Sequence, residues 1–100
     1  MKDKNNAERS DKLKPLVLHL VLTHHWYEEI IAGRKWCEYR KLCPHWKRLI
    51  EDRADRITHV RFQRGFKKNP PKITFEVECI DIGDCPYDGW DDEYYRVFFK

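Results

Sequence analysis

The run Ile73-Thr74-Phe75-Glu76-Val77-Glu78-Cys79 is apolar on odd positions and polar on even ones, and then the pattern inverts, with Ile80 and Ile82 carrying the apolar character. Period-two alternation marks a strand with one buried face. A one-residue slip would turn that face to solvent unless the strand bulges or bends, so the segment demands a curled sheet. Ile57-Thr58-His59-Val60-Arg61-Phe62 reads as another strand, with Val60 and Phe62 inward, and the aromatic stretch Tyr94 to Phe99 as a closing one. Leu16 to Leu22 is apolar at nearly every position, with leucine at each even number. Such a run predicts a central strand buried on both faces, and His19 on its second face reads as a hydrogen-bonded core histidine.

Two short helices separate the early strands. Thr23 is a candidate N-cap for His24 to Ala32, where Trp26/Ile30 and Tyr27/Ile31 form an i,i+4 stripe, and Gly33 supplies the left-handed turn that ends it. Cys43-Pro44 opens a second helix with proline at its first position, burying Trp46, Leu49 and Ile50 and leaving Lys47, Arg48, Arg53 and Arg56 as a basic exposed face. Gln63 to Pro71 reads as a basic loop, and Gly83 to Gly89 as a second loop. The order is β-α-β-α-β-β-β, a small α+β chain whose sheet of five or six strands curls into an open barrel.

One hundred residues without an internal repeat make one domain, able to bury roughly 60–65% of its unfolded surface. With 37% charged and 14% aromatic residues, the core must be small and aromatic-rich. Residues 1 to 14 hold almost nothing apolar and are expected to be a disordered charged tail, leaving 15 to 100 as the folded domain. Neither a signal-peptide h-region nor an apolar run of about 20 residues is present, so a soluble, cytoplasmic protein without membrane contact is expected, with a monomer favoured. Cys37, Cys43, Cys79 and Cys85 come in pairs separated by five residues, wider than a zinc knuckle. They read as reduced, small buried hydrophobes. No metal and no cofactor is expected, and His24-His25 lacks the spacing of a metal pair.

The net charge of +3 conceals an asymmetry. Arg34 to Lys72 holds thirteen Lys/Arg against four Asp/Glu, a local +9, whereas Ile73 to Lys100 holds two against eight, a local −6. A basic face for a polyanion, opposite an acidic one, is the implied arrangement. Within the basic part, Gly33-Arg34-Lys35-Trp36-Cys37-Glu38-Tyr39-Arg40 packs a glycine stop, three bases, an acid and two aromatics into one turn and strand. Alternation puts Trp36, Glu38 and Arg40 on one face and Cys37 and Tyr39 on the other, while Lys35, still in the turn, can swing toward Glu38.

Gly33-x-Lys35-x-x-Glu38-x-Arg40 on a helix-to-strand turn resembles the signature of the ASCH domain family of the PUA-like superfamily. Trp26 to Gly33 looks like that family's first helix, Glu38-Tyr39-Arg40 followed by Cys43-Pro44-His45-Trp46 looks like the subgroup common in phages and bacteria, and Phe62-Gln63-Arg64-Gly65-Phe66 looks like its third-strand corner. The resemblance spans roughly residues 16 to 99. It implies a PUA-like barrel with a cleft beside the motif and a role with RNA, modified nucleosides or DNA. One subgroup hydrolyses an acetylated cytidine nucleoside with the motif lysine, a threonine three residues later and a glutamate from a later strand. Lys35 matches that lysine, Glu38 stands where the threonine would be, and the glutamate could be Glu76 or Glu78.

Three functions follow. In the first, Lys35, Trp36, Glu38 and Arg40, extended by Arg64, Phe66, Lys67 and Lys68, bind RNA, another single-stranded nucleic acid or a nucleoside-type ligand, with aromatic rings stacking on bases. In the second, Lys35 is made less basic by Arg34 and Arg40, and Glu38, Glu76 or Glu78 moves a proton for hydrolysis of RNA or an N-acylated nucleoside. In the third, Glu38 merely pairs with Lys35 or Arg40 to brace the turn of an adaptor domain.

Overall fold

The computed structural model describes residues 14–100. The expected disordered tail, Lys14 apart, lies outside the described residues. Five strands and two helices follow in the order β1 (Leu16–Leu22), α1 (His24–Ile31), β2 (Cys37–Lys41), α2 (Pro44–Leu49), a 3-10 turn (Glu51–Arg53), β3 (Ile57–Arg64), β4 (Lys72–Asp84) and β5 (Glu93–Phe99). The strands lie side by side as β1-β3-β4-β5-β2 and curl into a half-barrel.

The curl comes from β4. Its first half pairs antiparallel with β3 through Phe75–Val60 and Ile73–Phe62, and its second half pairs antiparallel with β5. Between the halves the register slips, Val77 facing Phe99 and Cys79 facing Phe98, so that Glu78 is an extra residue. The inverted alternation of the sequence is this bulge, which lets one long strand serve two half-sheets at an angle.

Inside the half-barrel, Leu18, Leu20 and Leu22 of β1 meet Val60 and Phe62 of β3, Tyr95, Val97 and Phe99 of β5, Tyr27 and Ile30 of α1, and Ile50. Phe62, Phe75 and Phe99 form an aromatic centre, with Phe62 and Phe75 4.9 and 5.0 Å from Phe99, centroid to centroid. Such pairs add about 0.5–1.5 kcal/mol to what area alone supplies.

The apolar run of β1 is not a central strand. β1 pairs only with β3, in parallel, and stands at one edge of the sheet, with β2 at the other. Its leucine face is buried, whereas Val17 and His19 are exposed and Val21 is half-buried. Apolarity on both faces reflected a second, partly covered surface and not a second strand. His19 is accordingly a surface residue whose Nε2 lies 3.1 Å from Gln63 Oε1. In α1 the buried stripe is Tyr27 and Ile30 alone, with Ile31 exposed and Trp26 half-buried. Of the cysteines only Cys37 is buried; Cys79 is exposed, Cys43 and Cys85 are half-buried, and all four are free. Among the described residues, no helix is long and apolar enough to cross a membrane.

Candidate functional site

The helix-to-strand turn after α1 builds the centre of the site. Gly33 takes φ +77°, a conformation open to glycine, and Lys35 follows with its backbone N–H donating to Glu29 O at 3.2 Å. The turn points the Lys35 side chain inward, where only 6% of the residue is exposed. Its ammonium lies 2.7 Å from Glu38 Oε1, and Glu38 is itself 4% exposed. Arg40 takes the other carboxylate oxygen, its Nη2 and Nε donating to Glu38 Oε2 at 2.7 and 3.0 Å. A carboxylate held by one cation on each oxygen satisfies the demand that buried charges be paired and hydrogen-bonded.

Arg40 does more than close this triad. From β2 its Nη2 also donates to the backbone carbonyl of Val21 on β1 at 3.1 Å, bridging the two edge strands across the open side of the half-barrel. The guanidinium lies 4.9 Å from the centroid of the Trp46 ring. Val21, Leu22, Thr23 and Arg40 line two adjoining hollows. One, of about 430 Å³, is completed by Trp46, Gly65 and Phe66; the other, of about 320 Å³, by Trp26, Glu38, Tyr39, Lys41, Trp90 and Tyr94. A third, lined by His24, Arg64, Gly65, Phe66 and Lys67, adjoins the first through Gly65 and Phe66. The three hollows lie next to one another along the seam and form a groove, with Arg40 between the first two. Phe66, 86% exposed, stands at its lip.

Behind Lys35 stands an aromatic knot. The ammonium is 4.2 Å from the Trp26 ring centroid, 5.6 Å from Tyr87 and 6.0 Å from Tyr39. Tyr87 stacks on Trp26 at 5.0 Å, and Trp90 packs edge-on against Trp26, Tyr39 and Tyr87. These contacts add cation–π stabilisation to the buried ion pair. Burial, and next the hydrogen bond with Cys37, drives the Tyr39 hydroxyl far above its ordinary value; burial, followed by the proximity of Cys85, raises Tyr87. Burial likewise pushes the Cys37 thiol up to about 11, so it is a poor nucleophile at neutral pH.

The structure therefore brings Lys35, Glu38 and Arg40 together, but it places Trp36 elsewhere. The expected sharing of one face by Trp36, Glu38 and Arg40 fails because regular alternation starts only at Cys37. Glu38 and Arg40 face Val97 and Tyr95 across the ladder, whereas Trp36, 62% exposed, turns outward beside Phe98 at 6.1 Å. Arg64 is half-buried and its Nη1 donates to Glu28 Oε1 at 3.2 Å; Lys67 and Lys68 are exposed on the β3–β4 loop, with Lys67 on the groove. Glu76 and Glu78 are exposed and do not line the groove. Sequence reasoning missed Trp26, Trp46, Tyr87, Trp90 and Tyr94 as site residues. Aromatics crowded into the polar stretch Tyr87-Asp88-Gly89-Trp90 were the available signal, since a loop seldom spends such side chains unless they pack on something.

Comparison of the chain with protein-family models, curated proteins and solved structures finds no match. The site's floor is a buried, paired set of charges, its walls are aromatic, and its lips carry cations.

Proposed function

We propose that this domain binds single-stranded RNA, or another single-stranded nucleic acid, along the seam groove, as an ASCH-type member of the PUA-like superfamily. The observation that carries the proposal is that two aromatic-lined hollows of the groove meet at Arg40. On one side are Trp26, Trp90 and Tyr94, on the other Trp46 and Phe66, and cationic side chains lie alongside, Lys41 near the first set and Arg64 and Lys67 near the second. Aromatic faces interleaved with bases suit a strand whose bases are unstacked and whose phosphates need counter-charges, with each stacked base worth about 1–3 kcal/mol.

In this function Lys35 and Glu38 brace and Arg40 binds. The buried pair fixes the guanidinium in the groove without lending a proton to a reaction. Both Glu38 oxygens are engaged by cations, and neither Glu76 nor Glu78 lines the groove, so the geometry favours binding over hydrolysis. The test is fluorescence anisotropy with labelled single-stranded RNA and DNA oligonucleotides over a salt series. Affinity is expected to fall steeply as salt rises, and Phe66→Ala to weaken binding about tenfold, the loss of one stacked base. Because Phe66 is exposed, that variant keeps the melting temperature of the parent. A folded Phe66→Ala protein that also carries Arg40→Met and binds as tightly as the parent would defeat the proposal.

A further inference from the structure

The bulge that curls the sheet also leaves half of β4 without a neighbour. Up to Glu76 the strand has β3 beside it, whereas from Cys79 to Asp84 it pairs with β5 on one side and with no strand on the other. Successive residues of a strand turn their backbone groups to opposite sides. The Phe99 N–H donates to Trp36 O, so odd residues of β5 address β2, and the even residues Phe98, Arg96 and Tyr94, opposite Cys79, Asp81 and Gly83, address β4. Ile80 and Ile82 therefore turn their N–H and C=O groups to the vacated side, where the ladder holds no partner for them.

The same residues border a hollow of about 270 Å³, lined by Glu51, Ala54, Ile80, Asp81, Ile82 and Tyr95, which shares no residue with the groove. Ile82 is 47% exposed. Ile80 and Ile82 lie on the face of their ladder partners Val97 and Tyr95, and the next pair on that face is Asp84 opposite Glu93. Like charges set directly opposite each other are destabilising, and among the described residues no cation pairs with either. From Cys79 to Asp84 the edge also lacks the Lys or Pro that commonly blunts such strands.

From the free edge and the unpaired acids at its end, we infer that β4 docks an extended, basic segment of a partner protein as an added strand. Residues of that segment opposite Ile80 and Ile82 are apolar and share their face. The residue opposite Asp84 is Lys or Arg, which answers Asp84 and Glu93 together. A second copy of the chain is a poor occupant, because its own β4 would bring Asp81 and Asp84 against carboxylates.

The probe is a labelled peptide that alternates valine and threonine and closes in two lysines, titrated to millimolar concentration into the isotope-labelled full chain. Amide NMR shifts are expected at Cys79 to Asp84 and at Ala54. Methylating alternate peptide amides along one edge should weaken binding at least about tenfold, the loss of two backbone hydrogen bonds, while methylation along the other edge does not. Ile82→Pro removes an N–H that lies outside the ladder, so the fold is kept and the shifts vanish. Asp84→Asn with Glu93→Gln should keep the melting temperature and lower affinity for the lysine-ended peptide about tenfold, the loss of its ion pairs. Oligonucleotide affinity should stay the same in both variants. Unshifted Ile80 and Ile82 amides, equal binding of the two methylated peptides, or a glutamate-ended peptide that binds as tightly as the lysine-ended one each overturn the inference. Self-association of the chain that Ile82→Pro abolishes gives the edge to a second copy and overturns it as well.

Discussion

The Nη2 of Arg40 on β2 donates to the carbonyl oxygen of Val21 on β1 at 3.1 Å, so one side chain spans the gap that a backbone ladder would fill in a closed barrel. The same nitrogen is anchored on Glu38 Oε2. The seam is therefore held by a guanidinium whose position is set from inside the domain.

Lysine cannot reproduce that span, since its ammonium lacks the planar fork that reaches two acceptors at once. Arg40→Lys is expected to lower stability by about 1–2 kcal/mol, the worth of a charge-assisted hydrogen bond. Amide exchange in β1 should quicken more than exchange in β4. Uniform quickening across the sheet would mean that the seam contact has no local role.

Glu38 and Lys35 should respond unequally to substitution. Glu38→Gln leaves two cations facing each other around a neutral amide, with Lys35 buried, and is expected to cost about 3–5 kcal/mol. For a domain of this size that lowers the melting temperature by roughly 15 °C or more. Lys35→Met leaves Glu38 its bonds from Arg40 and lays a flexible apolar chain against Trp26, so a loss of only about 1–2 kcal/mol is expected. Thermal melts followed by circular dichroism rank the two, and a larger loss for Lys35→Met would contradict the shared-carboxylate geometry.

The tyrosines give the pH dependence. Burial raises the pKa of Tyr27, Tyr39, Tyr87 and Tyr95 above the ordinary value, with the Cys37 hydrogen bond adding for Tyr39 and the Glu51 hydrogen bond for Tyr95. A group whose folded pKa is raised contributes stability that is complete below its unfolded pKa and is lost as pH climbs toward the folded one. Stability is thus expected to be insensitive to these groups at neutral pH and to decline from about pH 10 upward, the ordinary tyrosine value. Absorbance at the phenolate band should show these four ionising cooperatively with unfolding. Their independent ionisation in a folded chain would refute the burial assigned to them.

Thiol reactivity should follow exposure. Cys79 is exposed, and Cys37 is buried with its thiol raised to about 11. Under native conditions near pH 8, a disulfide reagent is expected to label Cys79 first and Cys37 only after unfolding. Mass spectrometry of the labelled peptides reads the order.

What the chain discloses in sequence is what depends on neighbours along it. The slip at Val77 to Cys79, the glycine stop at Gly33 and the reach of Lys35 to Glu38 are all short-range, set by period and by turn geometry. The place of β1 was misjudged because an apolar run reports how much surface is covered and not which element covers it. Trp26 shared its i,i+4 spacing with Ile30, yet tertiary packing gave Ile30 to the core and Trp26 to Lys35 and Tyr87. No local pattern links residues 26 and 87. The seam itself, made where two distant edges come to face each other, has no sequence period at all.

The bulge at Glu78 sets the angle between the two half-sheets, and that angle sets how far β1 stands from β2. The aperture of the groove is thus encoded by a residue outside its lining. Removing that one residue would also put Ile80 and Ile82 out of phase with the buried face, so the width of the opening and the integrity of the core are tied to the same bulge.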